Sequence, residues 1–440
     1  MVRWLIEQTS EATQSGDEDN GLPDLKAEAA LSIHVACING HLDVAKHLHE
    51  QPPAPSGSEQ RVLDEFASLS KWLRRMLGPV HSPPTRVSAE TMAAAVKNGH
   101  LDAAKWLFDE FQSGIDLFGC NNAEGSTLAM DVAAEYGHLE LLQYLHELQL
   151  SMNSAAKKRR RGESTRRKRS PPECTFAAMD SAAGSGHLEV VQWLHQHRSE
   201  GCTTLAMDAA ASGGHLDVVQ WLHEHRSEGC TVAAMDGAAR SGHVDTIKWL
   251  HAHRSEGCSA NAMDAAAANG HLEIVQWLHE ARSAGCSTKA MDEAAINGHL
   301  EVVQWLHEHR AEGCTTAAMD GAAANGFLGV VKWLHRNRTE GCTQRAMDHA
   351  ARSGHLKVVQ WLDANRSEGC SSAAIDGAAE KNHWEVLLFL HSHCHVECTE
   401  QAALLTSRTC ESVLHAWILE KYPTFRELGT PSFVVEKSVL

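Results

Sequence analysis

Apolar positions along this chain recur in short blocks punctuated by glycine. From Phe176 to Ala183 the block is rich in alanine, and from Leu188 onward Leu188, Val191 and Leu194 fall at i, i+3 and i+6. The second spacing predicts a helix over about Leu188–Arg198, and the first a shorter Ala-rich helix before it. Gly186 stands between them, where a residue that tolerates positive φ ends the first helix, and Gly201 ends the second. The pattern returns at Gly214, Gly242, Gly270, Gly298, Gly326 and Gly354, each 28 residues after the last, and Asn382 takes the next slot. Gly40, Gly99 and Gly137 open similar runs with longer spacers, which gives eleven clear copies and a blurred one around Trp72. A fixed period of this size predicts a solenoid, because one helix pair cannot bury its own face and must stack on its neighbours. A Ser or Thr follows every periodic cysteine (Thr175, Thr203, Thr231, Ser259, Ser287, Thr315, Thr343, Ser371, Thr399). Its hydroxyl is placed to cap the first helix. Pairs such as Ala182–Ala183 are small enough for neighbouring repeats to approach closely.

The run Ala182–Leu194, A-A-x-x-G-H-L-E-V-V-x-x-L, resembles the core motif of the ankyrin repeat family, and the resemblance extends over roughly residues 27–420. More narrowly, the chain is similar to divergent short-period arrays of that family found in oomycetes. The resemblance implies an all-α, ankyrin-type solenoid of stacked helix pairs. Two departures modify it. The unit is 28 residues rather than about 33, and Leu205-Ala206-Met207-Asp208 stands where the family has T-P-L-H. The connection that would form the family's β-hairpin is shortened, so hairpins are expected to be reduced or absent. The family's T-P-L-H histidine ties neighbouring repeats by hydrogen bonds. Here that slot holds Asp131, Asp180, Asp208, Asp236, Asp264, Asp292, Asp320, Asp348 and Asp376. An Asp there can accept from N–H groups of an adjacent loop and favours the positive end of its helix.

Other periodic residues invite chemical readings that their geometry weakens. The cysteine ladder (Cys174, Cys202, Cys230, Cys258, Cys286, Cys314, Cys342, Cys370, Cys398) places thiols on stacked units about 8–10 Å apart. A disulfide needs Cα atoms within ~7 Å, so free, buried or half-buried thiols are expected, as suits a reducing compartment. His195, His197 and Cys202 have zinc-ligand chemistry, but residues two apart on a helix diverge, and Ala281, Asn337 and Asp363 break the pattern. No metal or other cofactor is expected, and the 30 histidines read as surface and capping residues. The Trp ladder (Trp193, Trp221, Trp249, Trp277, Trp305, Trp333, Trp361) reads as packing between consecutive units. A base-stacking track needs flanking cations, and its neighbours are Glu189, Gln192, Asp217 and Gln220. Arg198, Arg226, Arg254, Arg310, Arg338 and Arg366 end second helices, with Glu two residues later, and read as an exposed charged edge. Identical carboxylates in identical settings do not make an acid–base pair. With no phosphate-binding Gly loop or nucleophile elbow either, an enzyme is not expected.

What differs between units is where a partner would be read. Leu205, Ala209 and Ser212 lie at i, i+4 and i+7 and share one face of the first helix. Ankyrin-type arrays turn this face to their concave side, which implies a binding groove. Early units present small residues there (Ala177, Ser181, Gly184). Later ones present Arg240; Lys289, Glu293 and Ile296; Arg345, His349 and Arg352; and Glu380. The later set is the candidate contact region for a protein partner. The competing reading is that these are solvent-tolerant positions that drifted.

Composition adds limits. The 440 residues are 43% hydrophobic, and no run approaches the ~18 apolar residues of a membrane span. Near the start, Glu7 and Glu11 and the lack of a long apolar stretch argue against a secretory signal. The formal charge of −17 disfavours nucleic acid as a general partner. One segment inverts it, with Lys157, Lys158, Arg159, Arg160, Arg161, Arg166, Arg167, Lys168 and Arg169 against Glu163 alone. Two basic clusters split by four residues resemble a nuclear-localisation signal for an import receptor, and the same charge would hold a polyanion. Ser164 and Ser170-Pro171 are placed for a phosphate to offset it. The expected organisation is an N-terminal segment (1–26), partly disordered or capping, then irregular repeats (27–150). A disordered basic insert (151–173), regular repeats (174–398), a capping helix pair (399–422) and a tail (423–440) follow. The expected function is a non-catalytic, monomeric intracellular adaptor in the nucleus or cytoplasm, with no membrane contact. A nucleic-acid-associated factor acting through 157–169 is the alternative.

Overall fold

From Thr175 onward each first helix starts at its hydroxyl cap, whereas Ala129–Glu135 opens at Leu128 with no side-chain cap. In the computed structural model, Thr175 Oγ1 accepts from Ala177 N at 3.1 Å and Thr203 Oγ1 from Leu205 N at 3.1 Å, and Ser259, Ser287, Thr315, Thr343, Ser371 and Thr399 repeat the contact. The structure describes residues 33–34, 36–50, 89–111, 118, 128–159, 172–281, 285–408 and 412–428. The first helices before Asn382 end at a left-handed residue: Gly186 has φ +78°, and its neighbour His187 N reaches back to Ala182 O at 2.9 Å. Asn382, in the glycine slot, adopts φ +57°, as an Asn can.

The chain forms two compact units, Met1–Cys230 and Thr231–Leu440. In the first unit, Leu42–Glu50 precedes the pairs Ala89–Lys97/Leu101–Phe111 and Ala129–Glu135/Leu139–Arg159. The pairs Phe176–Gly184/Leu188–His197 and Thr204–Ser212/Leu216–His225 complete it. The second unit begins with the pairs Val232–Ser241/Val244–His253, Ala260–Ala268/Leu272–Glu280 and Thr288–Ile296/Leu300–His309. Thr316–Ala324/Leu328–Asn337, Gln344–Arg352/Leu356–Asn365 and Ser372–Glu380/Trp384–Ser392 follow. A last pair, Glu400–Arg408/Ser412–Lys421, ends in a 3-10 turn at Pro423–Leu428. Within each unit consecutive first helices pack side by side, and each packs on its own second helix. No strand occurs among the described residues, so the shortened connection forms no hairpin there.

The core of a repeat is Ala290, Met291, Ala294 and Ala295 from the first helix with Val302, Val303 and Leu306 from the second. Burying one such Val, Leu or Met side chain stabilises the fold by about 1.5–3 kcal/mol. One expectation is corrected here. Leu188 is only half-buried, and the buried stripe is Val190, Val191 and Leu194, because Leu188 opens the helix at its rim. The helix from Leu139 also runs past Leu150 to Arg159, so its last turns enter the segment read as disordered from residue 151. Cys398 N donates to Tyr422 Oη at 3.2 Å, and a 3-10 turn at Pro423–Leu428 carries regular structure into the segment read as a tail.

Candidate interaction site on the first helices

The constant residues fix the first helices in place. Asp180 receives Thr203 N at 2.8 Å on one oxygen and the Thr203 hydroxyl at 2.7 Å on the other. That same hydroxyl caps its own helix, so one Thr both starts a repeat and ties it to the repeat before. Asp264 holds Ser287 at 2.8 and 2.6 Å, and Asp292 holds Thr315 at 2.7 and 2.8 Å. Asp320, Asp348 and Asp376 hold Thr343, Ser371 and Thr399 in the same way. In the first repeat His34 occupies this slot and joins Thr91 Oγ1 at 2.8 Å.

The other ladders are committed to the same joints. The capping histidines are those at the helix C-terminus, such as His197, and the histidine after the periodic glycine opens the second helix without capping it by its side chain. Its ring lies on the preceding repeat's glycine instead: a Cβ on Gly186 would sit 2.4 Å from His215 Nδ1. His271 Nε2 also meets Arg240 O at 3.1 Å. Trp221 takes the edge of His195 from the preceding repeat at 5.2 Å and stacks on His225 at 4.5 Å. His195 and His197 therefore serve different neighbours: His197 stacks on Trp193, and its Nδ1 meets Trp193 O at 3.0 Å. Among the described residues no group of three or more His, Cys, Asp or Glu is arranged to hold a metal ion.

The arginine edge is less exposed than the sequence suggests. Arg338 forms a two-pronged pair with Glu340 in its own repeat and points Nη1 at His307 of the repeat before, 3.3 Å from Nδ1. Arg338 holds the Glu340 carboxyl below its usual range, against partial burial. The cysteines of the described residues are free thiols, buried or half-buried. Burial is the main cause that pushes Cys202, Cys314 and Cys342 up to about 11 and Cys398 to about 12.

Against this frame the variable residues divide. Arg240, Lys289, Glu293, Arg345, His349 and Arg352 are exposed, while Ile296 and Glu380 are half-buried. Three of them are engaged within the array. Ile296 leans over Gly321 of the next repeat, where an added Cβ would sit 2.2 Å from its Cγ1. Arg352 lies over Gly377 and pairs with Glu380 at 3.0 Å, and Lys381 reaches Glu380 from the other side at 3.2 Å. The last position of one first helix thus meets a position 25 residues later. The same slots hold Arg240 and Ala265, Ala268 and Glu293, and Ala324 and His349, a large residue with a small one, until Glu380 and Leu405 break the pattern. In the first unit the matching contact is small on small, Gly184 against Ala209. Phe176 and Leu205 there are 52% and 60% exposed. Phe176 escapes notice in the sequence; its signal is a large aromatic in a slot that holds Thr, Val, Ala, Gln, Ser or Glu in later repeats.

Of the basic segment, Lys157, Lys158 and Arg159 end the helix from Leu139. Arg160, Arg161, Arg166, Arg167, Lys168 and Arg169 lie outside the described residues.

Models of ankyrin repeats match residues 92–146, 175–223 and 230–279 (many copies) and 291–371 (three copies), more than half of the chain. The chain belongs to the ankyrin repeat family. The matches fall on the helix pairs described above, and ankyrin repeats are generally modules of protein–protein interaction. No curated protein matches this ankyrin repeat protein. None of its described helices is long and apolar enough to cross a membrane.

Proposed function

We propose that this protein is a non-catalytic, monomeric adaptor that binds a protein partner through the first-helix face of its repeats. One observation carries this reading. The constant side chains are consumed in inter-repeat joints, whereas Lys289, Glu293, Arg345 and His349 stand exposed on one face and differ from repeat to repeat. Proximity labelling in the native cell, followed by mass spectrometry, tests it. Replacing those four residues with alanine should remove a defined set of labelled proteins, while replacing Gln276 and Gln304 on the second helices should not. An identical set from both variants, with unchanged far-UV circular dichroism, would overturn the reading.

The basic segment Lys157–Arg169 supports entry into the nucleus through an import receptor. Deleting 157–169 should leave a fluorescently tagged protein in the cytoplasm. Undiminished nuclear signal would refute this, and salt-sensitive RNA or DNA binding lost with the same deletion would favour the polyanion role.

A further inference from the structure

Among the cations on the first helices of the second unit, Lys289 and Arg345 stand at helix starts and are unused by the fold. Lys289 and Arg345 each stand second in their helix, exposed, and neither makes an ion pair among the described residues. Both sit in a first turn, where the positive end of the helix disfavours a cation. Asn261, Ala317 and Ala373 hold the slot in neighbouring repeats, so the repeat does not need a cation there. A residue that breaks a local rule with no gain in the fold marks function.

The helix between them, Thr316–Ala324, presents Ala317, Gly321 and Ala324 on this face, with Ile296 folded onto Gly321. The strip from Lys289 over Ala317 to Arg345 is therefore low and flanked by positive groups. The nearby Asp292, Asp320 and Asp348 carboxylates are occupied by two donors each in the joints. We infer that Lys289 and Arg345 together receive an acidic peptide segment lying across the helix Thr316–Ala324.

The inference deepens the protein-recognition reading and rests on it. Helices at ~8–10 Å spacing place the two cations roughly 16–20 Å apart at the backbone. At ~3.3–3.6 Å per extended residue, with both side chains reaching inward, two acidic residues about four to six positions apart would bridge them. Small residues between would clear Ala317. Glu293 and His349, one turn further along the same helices, offer the peptide backbone an acceptor and a second polar contact. A nucleic acid strand fits less well. The first helices of this unit carry no Phe, Tyr or Trp on which bases could stack. Its second helices add Asp245, Glu273 and Glu301, which repel a long polyanion.

The test is to pan a phage-displayed random 12-residue peptide library on the full-length protein and measure the affinity of the enriched peptides. The expected result is enrichment of Asp or Glu pairs four to six residues apart. Affinity should fall at least tenfold for both K289A/R345A and K289E/R345E at unchanged circular dichroism, and E293Q should bind at least as well as the parent. Enriched peptides that bind both variants equally would overturn the inference while leaving protein recognition on another face intact. Stronger binding of a 12-nucleotide oligouridine to the same two residues would overturn it in favour of nucleic acid. No enrichment at all would count against both.

Discussion

At the residue scale, one hydroxyl does two jobs in each repeat. Thr315 caps the helix Thr316–Ala324 and also donates to Asp292. Asp292→Ala leaves the Thr315 N–H and hydroxyl without this acceptor and should cost about 1–3 kcal/mol. Thr315→Val removes the cap as well and should cost about 0.5–2 kcal/mol more than the loss of one hydrogen bond. The two changes share a contact, so urea-denaturation midpoints should show the double variant losing less than the two singles added. The thiols give a second residue-scale prediction. With its thiol pushed up to about 11, Cys314 should react with a chromogenic disulfide reagent at pH 8 only slowly until the protein unfolds. Caps and left-handed glycines were readable from sequence because they are local: a hydroxyl or a missing Cβ acts within a few residues of itself. The Asp slot was readable as an acceptor, but its hydroxyl partner lies 23 residues on and needs the stack to be seen.

At the element scale, the joint between first helices is set by volume. Ile296 already fills the place of a Cβ on Gly321. Gly321→Ala should therefore lower stability by about 1–3 kcal/mol through overpacking. The double variant I296A/G321A should recover part of that loss in the same urea titration, whereas Ile296→Ala alone leaves a gap. Sequence reasoning placed Ile296 on one side of its helix but missed this pairing. Periodicity shows which side of a helix a residue occupies and says nothing of the neighbour that covers it. For the same reason Arg352 and Glu380 read as partner contacts although they hold each other. Helix ends were also less legible than helix centres. The helix from Leu139 continues to Arg159 through residues of mixed polarity, because backbone hydrogen bonding tolerates a polar turn once the packed part has nucleated it.

For the whole molecule, repetition turns small electrostatic effects into a visible pH response. Burial is the first cause that lowers the pKa of His146, His187 and His355, so the folded state favours their neutral form. Their contribution is complete above about pH 6.5 and declines as the pH falls below it. Glu256, Glu340 and Glu368 are held below the usual carboxylate range by Arg254, Arg338 and Arg366. Their contribution is complete above about pH 4.3 and lost as the pH falls through their folded values. The thermal midpoint should therefore fall in two stages on acidification, first between pH 7 and 5.5 and again below pH 4.5. Scanning calorimetry across that range checks both, and a single step near pH 4 would remove the histidine contribution.

The volume matching between Ile296 and Gly321, and between Arg352 and Gly377, has a consequence for how such a chain can change length. From Arg240/Ala265 to Arg352/Gly377 the bulk comes alternately from the earlier and the later partner, so side-chain volume repeats over 56 residues in that stretch. Excising 316–343 would force Ile296 against His349, whereas excising 316–371 would bring it to Gly377 and restore the fit. Within that stretch, removing an even number of repeats should cost less stability than removing an odd number, a parity written in side-chain volume that the denaturation midpoints of the two deletions would reveal.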